Sequence, residues 1–340
     1  MQQLETVIYE VIDSVAVITL NRPEAANSQT HQALQEMDLA WKEADRDPEV
    51  KVIVFKSNGK HFSAGHDLSG KGRDPNAPTK YTVDWLYDWE TRGYLNYAKT
   101  WRDVTKPSIA AVQGKCIAGG LMLCWPCDII IAADNAQFSD PVLAMGICGV
   151  ELHAHTWELG HRKAKELLFT GDAITAQQAE KLGMVNQVVP LDELVTTTMA
   201  LAKRIAEQDS FALRMAKRAV NRTMDIQGYT ASIDAIFDMH HIGHARAALM
   251  NDIPFWRPLV LLGEGDEVLD LHKMLGAAME RHGLKAAKSF TPHMTLLYGS
   301  KPVPLQAIEP VSFAAKEFAL VHSELGLRRY NIIDRWSLED

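Results

Sequence analysis

Two textures of apolar spacing divide the chain. Apolar, β-branched runs at Val15–Leu20, Val52–Phe55, Ile109–Val112 and Ile129–Ala132 have the length and composition of strands. The stretches between them are long enough for helices and are punctuated by Gly, Asn and Pro, so the pattern predicts an α/β fold. Beyond Thr170 the period changes. Residues 175–181, 191–207, 211–224 and 233–250 carry apolar positions three or four apart, which predicts a helical end to the first unit. Pro254 and Pro258 break that pattern, and Leu259–Leu262 restarts a strand-like one. This break places a domain boundary after Phe255, between a first domain over 1–255 and a small segment over 256–340.

Length and composition narrow the class. A chain of 340 residues with 47% hydrophobic content can bury a full core and has room for one large and one small domain. The formal charge of −8 gives no overall positive field, so nucleic acid is an unlikely partner on electrostatic grounds. No apolar run reaches the ~18–20 residues of a membrane span, and no charged-then-apolar leader pattern opens the sequence. Cys116, Cys124, Cys127 and Cys148 all fall in the apolar middle of the chain, which points to a reducing, cytoplasmic setting.

Candidate chemistry sits at two small-residue turns. In Lys60-His-Phe-Ser-Ala-Gly-His-Asp-Leu68 a small residue and a Gly follow an apolar strand, and a helix is expected to start at Asp67. Such a turn leaves backbone N–H groups free to face an anion, aided by the positive end of the helix. Gly114-Lys-Cys-Ile-Ala-Gly-Gly-Leu-Met-Leu123 repeats the arrangement of strand, tight turn and helix. Donors from two such turns can converge on one thioester oxygen and stabilise an enolate.

With these turns go further stretches: Leu20-Asn-Arg-Pro-Glu-Ala-Ala-Asn27, Lys106-Pro-Ser-Ile-Ala-Ala-Val-Gln-Gly114, Cys127-Asp-Ile-Ile-Ile-Ala-Ala133, Ala136-Gln-Phe-Ser139, Leu168-Phe-Thr-Gly-Asp172 and Ala179-Glu-Lys-Leu-Gly-Met-Val185. In this order, over residues 1 to about 255, the chain resembles the crotonase (enoyl-CoA hydratase/isomerase) superfamily. The resemblance implies a ββα-repeat core with a terminal helical region, assembled as a trimer or a dimer of trimers. It implies an acyl-CoA substrate whose thioester carbonyl lies between Ala64 N–H and Gly119 N–H, with Gly65, His66 and Asp67 completing the binding turn. No tightly bound cofactor is implied, coenzyme A being part of the substrate.

The chain departs from that pattern where family hydratases carry their two water-activating glutamates. Those positions are Met122 and Val142, and neither side chain can transfer a proton. Replacement acid/base candidates are Asp140 and Glu151, the latter near where dienoyl-CoA isomerases and dehalogenases of the family place an aspartate. His153 and His155 follow at alternating spacing. Cys124-Trp-Pro-Cys127 has the spacing of a redox dithiol but lies at the apolar end of a helix, so buried structural thiols are expected. His240 and His244 set two imidazoles on one helical face, yet no glutamate follows His240 and no third ligand is evident. No metal is expected, and these histidines, with His241, are read as lining a subunit contact. The aromatic stretch Trp85-Leu-Tyr-Asp-Trp-Glu90, with Tyr94, Tyr97 and Trp101, is either the wall of the acyl pocket or a helix packed on the core.

From Trp256 the sequence resembles the C-terminal half of the 2′-5′ RNA ligase-like two-histidine phosphoesterases, in Arg257-Pro-Leu-Val-Leu-Leu262, Phe290-Thr-Pro-His-Met-Thr-Leu-Leu-Tyr298 and Trp336-Ser-Leu338. His293 and Thr295 match one of the family's two His-x-Thr pairs. His322-Ser323 lacks the spacing of the second. The resemblance therefore implies a small α+β extension that is half of such an enzyme, without the paired histidines its cyclic-phosphodiester chemistry uses.

Overall fold

A computed structural model describes residues 4–69, 72–78 and 81–250 and, beyond them, the backbone of four strands. The chain divides into two compact units, Met1–Val260 and Leu261–Asp340. In chain order the first unit contains β1 (Val7–Ile12), β2 (Val15–Leu20), α1 (His31–Arg46), β3 (Val52–Ser57), α2 (Val83–Glu90), a π-helical turn at Thr91–Leu95 and α3 (Asn96–Asp103). It continues with β4 (Ser108–Val112), β5 (Lys115–Ile117), α4 (Leu121–Cys124), β6 (Ile129–Ala133), β7 (Gln137–Ser139), α5 (His155–Thr170), β8 (Ile174–Thr175) and α6 (Ala176–Leu182). It closes with β9 (Gln187–Val189), α7 (Leu194–Ala206), α8 (Ser210–Ile226) and α9 (Tyr229–Met250).

Six strands form the main sheet in the order β1-β2-β3-β4-β6-β9, antiparallel at β1–β2 and parallel elsewhere. β5, β7 and β8 make a smaller sheet. The expected apolar runs are strands of the parallel region, and their lack of polar alternation has a simple cause. Both faces of the sheet are covered, so every residue of β2 and β4 is buried. Alternate side chains serve two cores. Ala16, Ile18 and Leu20 face one with Ile53 and Phe55; Val15 and Val17 face the other with Val52, Val54, Leu194 and Ala202 of α7.

The first core is anchored by aromatic packing. α1 starts where Thr30 Oγ1 accepts the Ala33 N–H at 3.1 Å, and it buries Leu34, Met37 and Trp41. Trp41 stacks on Trp101 of α3 with ring centroids 6.1 Å apart and meets Phe55 edge-on at 5.7 Å. Trp101 is therefore core, whereas Trp85 and Tyr87 of α2 are half-buried or exposed.

The helical end is present as α6 to α9, and Thr175 and Gln178 form a reciprocal capping box at the start of α6. One expected element is missing. No helix starts at Asp67; its Oδ1 instead accepts the Ser69 N–H at 2.9 Å in a local turn, and the next described helix is α2. The first donor turn thus has no helix dipole behind it, whereas the second runs through a 3₁₀ turn at Ala118–Gly120 into the short α4.

In the remaining segment β10 (Leu259–Leu262) pairs with β11 (His293–Leu297), and β12 (Glu317–Glu324) pairs antiparallel with β13 (Arg329–Ser337). His293 and Thr295 fall in β11 and His322-Ser323 in β12, with side chains outside the described residues.

Replacing Trp41 by Ala removes the centre of the aromatic stack and should destabilise the fold by about 3–5 kcal/mol in denaturant titration. A loss below about 1 kcal/mol would mean that the surrounding core collapses into the space.

Candidate active site

The two donor turns are stitched together by backbone bonds. Ser63 N–H donates to Lys115 O (3.2 Å) and Ile117 N–H to Ser63 O (3.0 Å), so the 62–68 turn runs alongside β5. On its other side Gln29 N–H donates to Gly65 O (2.8 Å) and Asp67 N–H to Gln29 O (3.0 Å). Asn27 braces the entry, its Nδ2 donating to Asn58 O and His61 O, both at 2.9 Å. Gly65 has φ +87, and a Cβ there would lie 2.8 Å from Ile117 O and 3.1 Å from Gly119 N. The two turns are in contact, and only glycine permits it.

This stitching decides which backbone donors remain. Ala64 N–H, expected to face the thioester, donates to Ala26 O at 2.9 Å and is committed. Gly65 N–H goes to Ser63 Oγ (3.2 Å) and Asp67 N–H to Gln29. His66 N–H has no acceptor among the described residues, because the parallel bridge to Gln29 uses the groups on either side of it. Across from it Gly119 N–H belongs to the first turn of a helix, which has no preceding carbonyl to offer it. Ala118 holds that turn at φ +48, a left-handed conformation costing about 1–3 kcal/mol. Asp67 faces elsewhere: Arg22 Nη2 and Ser28 Oγ both lie 3.2 Å from its Oδ2. Burial works to raise its carboxyl pKa, and the Ser69, Arg22 and Ser28 hydrogen bonds outweigh it and hold it below the usual range.

The His66 side chain joins these turns to Glu151. Gln29 Nε2 donates to Gly119 O at 2.7 Å, which turns Gln29 Oε1 toward His66 Nδ1 at 3.0 Å. His66 Nδ1 therefore carries a hydrogen. Its Nε2 faces both Glu151 oxygens, at 3.0 and 3.2 Å, so the ring is a doubly donating imidazolium between an amide oxygen and a carboxylate. Burial opposes that charge, and Glu151 outweighs it, raising the His66 pKa. Burial likewise works to raise Glu151, but His66, followed by His240, pulls its pKa well down. The imidazolium stacks on Tyr94 with ring centroids 3.9 Å apart, on the π-helical turn that follows α2.

Asp140 and Glu151 are not equivalent. Asp140 is fully buried and accepts from Val150 N–H (3.0 Å) and Val142 N–H (3.3 Å), while His155 Nε2 lies 2.9 Å from Oδ2. Its carboxylate ties the loop before Glu151 to the start of α5. His153 packs against His155 with centroids 4.4 Å apart, and burial lowers its pKa to about 4. Met122 is buried, and Val142 packs partly buried against the same core.

A second polar group borders the first. His240, His241 and His244 of α9 are turned inward against Glu90 at the end of α2, with His240 Nε2 3.2 Å from Glu90 Oε2 and 3.9 Å from Glu151 Oε1. Burial and the neighbouring Glu151 charge raise the Glu90 pKa to about 7 against the opposing pull of His240. These histidines are packed within the chain itself. Gln29 carries no signal in the sequence, and Glu90 and Tyr94 stand out there only as members of the aromatic stretch expected to form a pocket wall or a core helix. Cys116, Cys124 and Cys127 are buried free thiols, and burial pushes the Cys124 and Cys127 pKa values well up, so both remain protonated.

The chain is similar to known proteins over the first unit. The profile of the enoyl-CoA hydratase/isomerase family matches residues 10–248. EchA13 of Mycobacterium tuberculosis, named for enoyl-CoA hydratase, is 40% identical over 261 residues, spanning 72% of this chain and 82% of its own length. The short-chain-enoyl-CoA hydratase of Clostridium acetobutylicum is 34% identical, over 67% of this chain and 86% of its own. A crystal structure of a Mycobacterium smegmatis protein named for enoyl-CoA hydratase is 57% identical and superposes with a TM-score of 0.70, covering 73% of this chain and 98% of that one. The fold is crotonase-like, and the chain belongs to the enoyl-CoA hydratase/isomerase family.

Proposed function

We propose that the first unit binds an acyl-CoA thioester with its carbonyl oxygen between His66 N–H and Gly119 N–H, and that Glu151, paired with His66, transfers protons at the acyl chain. The observation that carries this reading is the pair of unspent N–H groups on facing turns, beside a buried carboxylate–imidazolium pair. Backbone donors fixed in that way stabilise the enolate oxygen without reorganising when the charge develops. His66 N–H takes the role first expected of Ala64, whose N–H is already used by Ala26. Gly119 keeps its expected role, and Gly65 provides the close approach.

Glu151 can accept a proton from the acyl chain only after His66 turns aside or shares its hydrogen. The pair then holds that proton and can return it at another carbon. Such proton shuffling suits double-bond isomerisation. Hydration needs a second group to hold the water, and Met122 and Val142 offer none. Asp140, which binds two loop N–H groups and His155, positions the segment that carries Glu151. No helix among the described residues is long and apolar enough to cross a membrane. The exposed Phe211, Val220 and Ile226 of α8 favour burial against another copy of the chain, in keeping with a trimer or a dimer of trimers. The apolar pair Met122 and Val142 also favours a second reading, an acyl-CoA binder without turnover.

Gly119→Ala should lower kcat/KM for enoyl-CoA isomerisation by ~10²–10³, because its Cβ would lie 2.6 Å from His66 Cε1 and displace the ring beside the oxyanion donors. Unchanged kinetics in a folded variant would place the thioester elsewhere.

Glu151→Gln should reduce isomerisation by ~10²–10⁴ while acyl-CoA binding persists, and crotonyl-CoA hydration by the parent chain should be slow. Steady-state assays of both reactions and calorimetric binding of a non-reactive acyl-CoA separate the readings: binding without either turnover supports the non-catalytic one.

A further inference from the structure

One carboxylate and three imidazoles converge beside the candidate active site. Glu90 Oε2 lies 3.2 Å from His240 Nε2 and 3.2 Å from His241 Nε2, Glu90 Oε1 lies 3.7 Å from His244 Nε2, and the Nε2 atoms of His240 and His244 are 3.0 Å apart. Glu90, His240 and His241 are buried, and His244 is partly exposed.

Hydrogen bonding does not satisfy this group. His240 Nδ1–H donates to Gly149 O at 2.8 Å, so its Nε2 faces a carboxylate oxygen and a second imidazole nitrogen with at most one hydrogen to share between them. His241 is 4% exposed, yet neither of its ring nitrogens makes a hydrogen bond. Its Nε2 is close to Glu90 but out of line for one. Tyr87 and Phe237 pack against the His241 ring at 4.7 and 4.6 Å and hold that nitrogen toward the cluster.

We propose that Glu90, His240, His241 and His244 form a binding site for a divalent transition-metal ion of the zinc class. Four-coordinate zinc with bonds of ~2.0 Å sets its ligand atoms about 3.3 Å apart; Glu90 Oε2 stands 3.2 Å from both His240 Nε2 and His241 Nε2, ligand atoms of these three residues all lie within 4.8 Å of one another, and His244 Nε2 adds a fourth at 3.0 Å from His240 Nε2. Three imidazoles and one carboxylate suit zinc, cobalt or nickel and not the all-oxygen shells of magnesium or calcium. The Gly149 carbonyl supplies the outer bond that metal-binding histidines usually make, holding the hydrogen on Nδ1 so that Nε2 is the nitrogen turned to the cluster. The i, i+4 spacing puts His240 and His244 on one face of α9, and the third and fourth ligands come from His241 and from α2, a distant part of the sequence. Glu151 Oε1, 3.9 Å from His240 Nε2, stands just outside this shell. The ion would therefore lie next to the Glu151–His66 pair without displacing it.

The test needs no acyl-CoA, so its outcome is independent of the reaction proposed above. The full chain without an affinity tag is stripped with a chelator and titrated calorimetrically with Zn²⁺, with metal content measured by elemental analysis after dialysis. The expected result is one zinc per chain, a raised Tm, and on substitution by Co²⁺ the intense visible absorption of a four-coordinate site. Glu90→Gln and the partly exposed His244→Gln should each weaken zinc binding by more than ~10²-fold, beyond the ~10–100-fold cost of losing a supporting partner. His153→Gln, at a histidine outside the cluster, should bind as the parent does. Circular dichroism of each metal-free variant establishes that it is folded; where Glu90→Gln is not, His244→Gln alone carries the test. Absence of stoichiometric zinc in the parent, or undiminished binding in a folded His244→Gln, overturns the proposal.

Discussion

Two buried carboxylates govern this site. Glu90 and Glu151 are 5% and 3% exposed, and an uncompensated charge at such a depth is too costly to keep. The fold answers with imidazoles from two directions. His66 arrives on the turn after β3 to pair with Glu151, and His240 arrives on α9 beside Glu90; His241 and His244 pack there too, but burial lowers their pKa values to about 4 and leaves them uncharged. Each satisfied histidine is itself fixed at its far nitrogen: His66 by Gln29, His240 by the Gly149 carbonyl. Removing one member would leave the others with charge or lone pairs facing nothing, a loss of about 3–5 kcal/mol for a broken buried pair. The positions of α2, the 62–68 turn, the loop before α5 and α9 are thus interdependent through charge as well as through packing.

Gln29 links that charge balance to the backbone. Its main chain bridges the 62–68 turn, while its side chain spans from Gly119 O to His66 Nδ1. The same residue therefore sets the distance between the two donor turns and the orientation of the imidazolium. Gly65 and Gly119 matter for the complementary reason that nothing larger than hydrogen fits where the turns meet. Positions this constrained can keep backbone N–H groups unspent, because the neighbouring residues already satisfy every bond the local chain needs.

The legible part of this arrangement was the part written locally. Strands buried on both faces read as continuous apolar runs, α6 announces itself by Thr175 and Gln178, and the small residues at Ala64-Gly65 and Ala118-Gly119-Gly120 mark the turns. Which N–H in a turn is free is not local. Ala64 and His66 are two residues apart, and only the acceptor that Ala26 supplies to Ala64, from far back in the chain, makes their N–H groups different. The helix anticipated at Asp67 gave way for a similar reason, since Arg22 and Ser28 hold its carboxylate in a turn. The histidine spacing on α9 was visible, but its carboxylate partner lies 150 residues earlier, in a segment that reads as aromatic packing.

The same non-locality bears on the chemistry. Met122 is in the apolar core and Val142 packs against it, so on the proposed reading neither position offers a proton-transfer group. Polar function concentrates instead where the loop carrying Glu151 meets His66 and α9. A proton held there is shared between a carboxylate and an imidazolium that already have partners, so it moves only when His66 breaks one of its two bonds. The stacking of Tyr94 on the ring and the hold of Gln29 on Nδ1 keep His66 from swinging freely, which favours a short proton relay over a large rotation. On the proposed reading, the reaction is therefore limited to steps in which one group on one face gives back the proton it took.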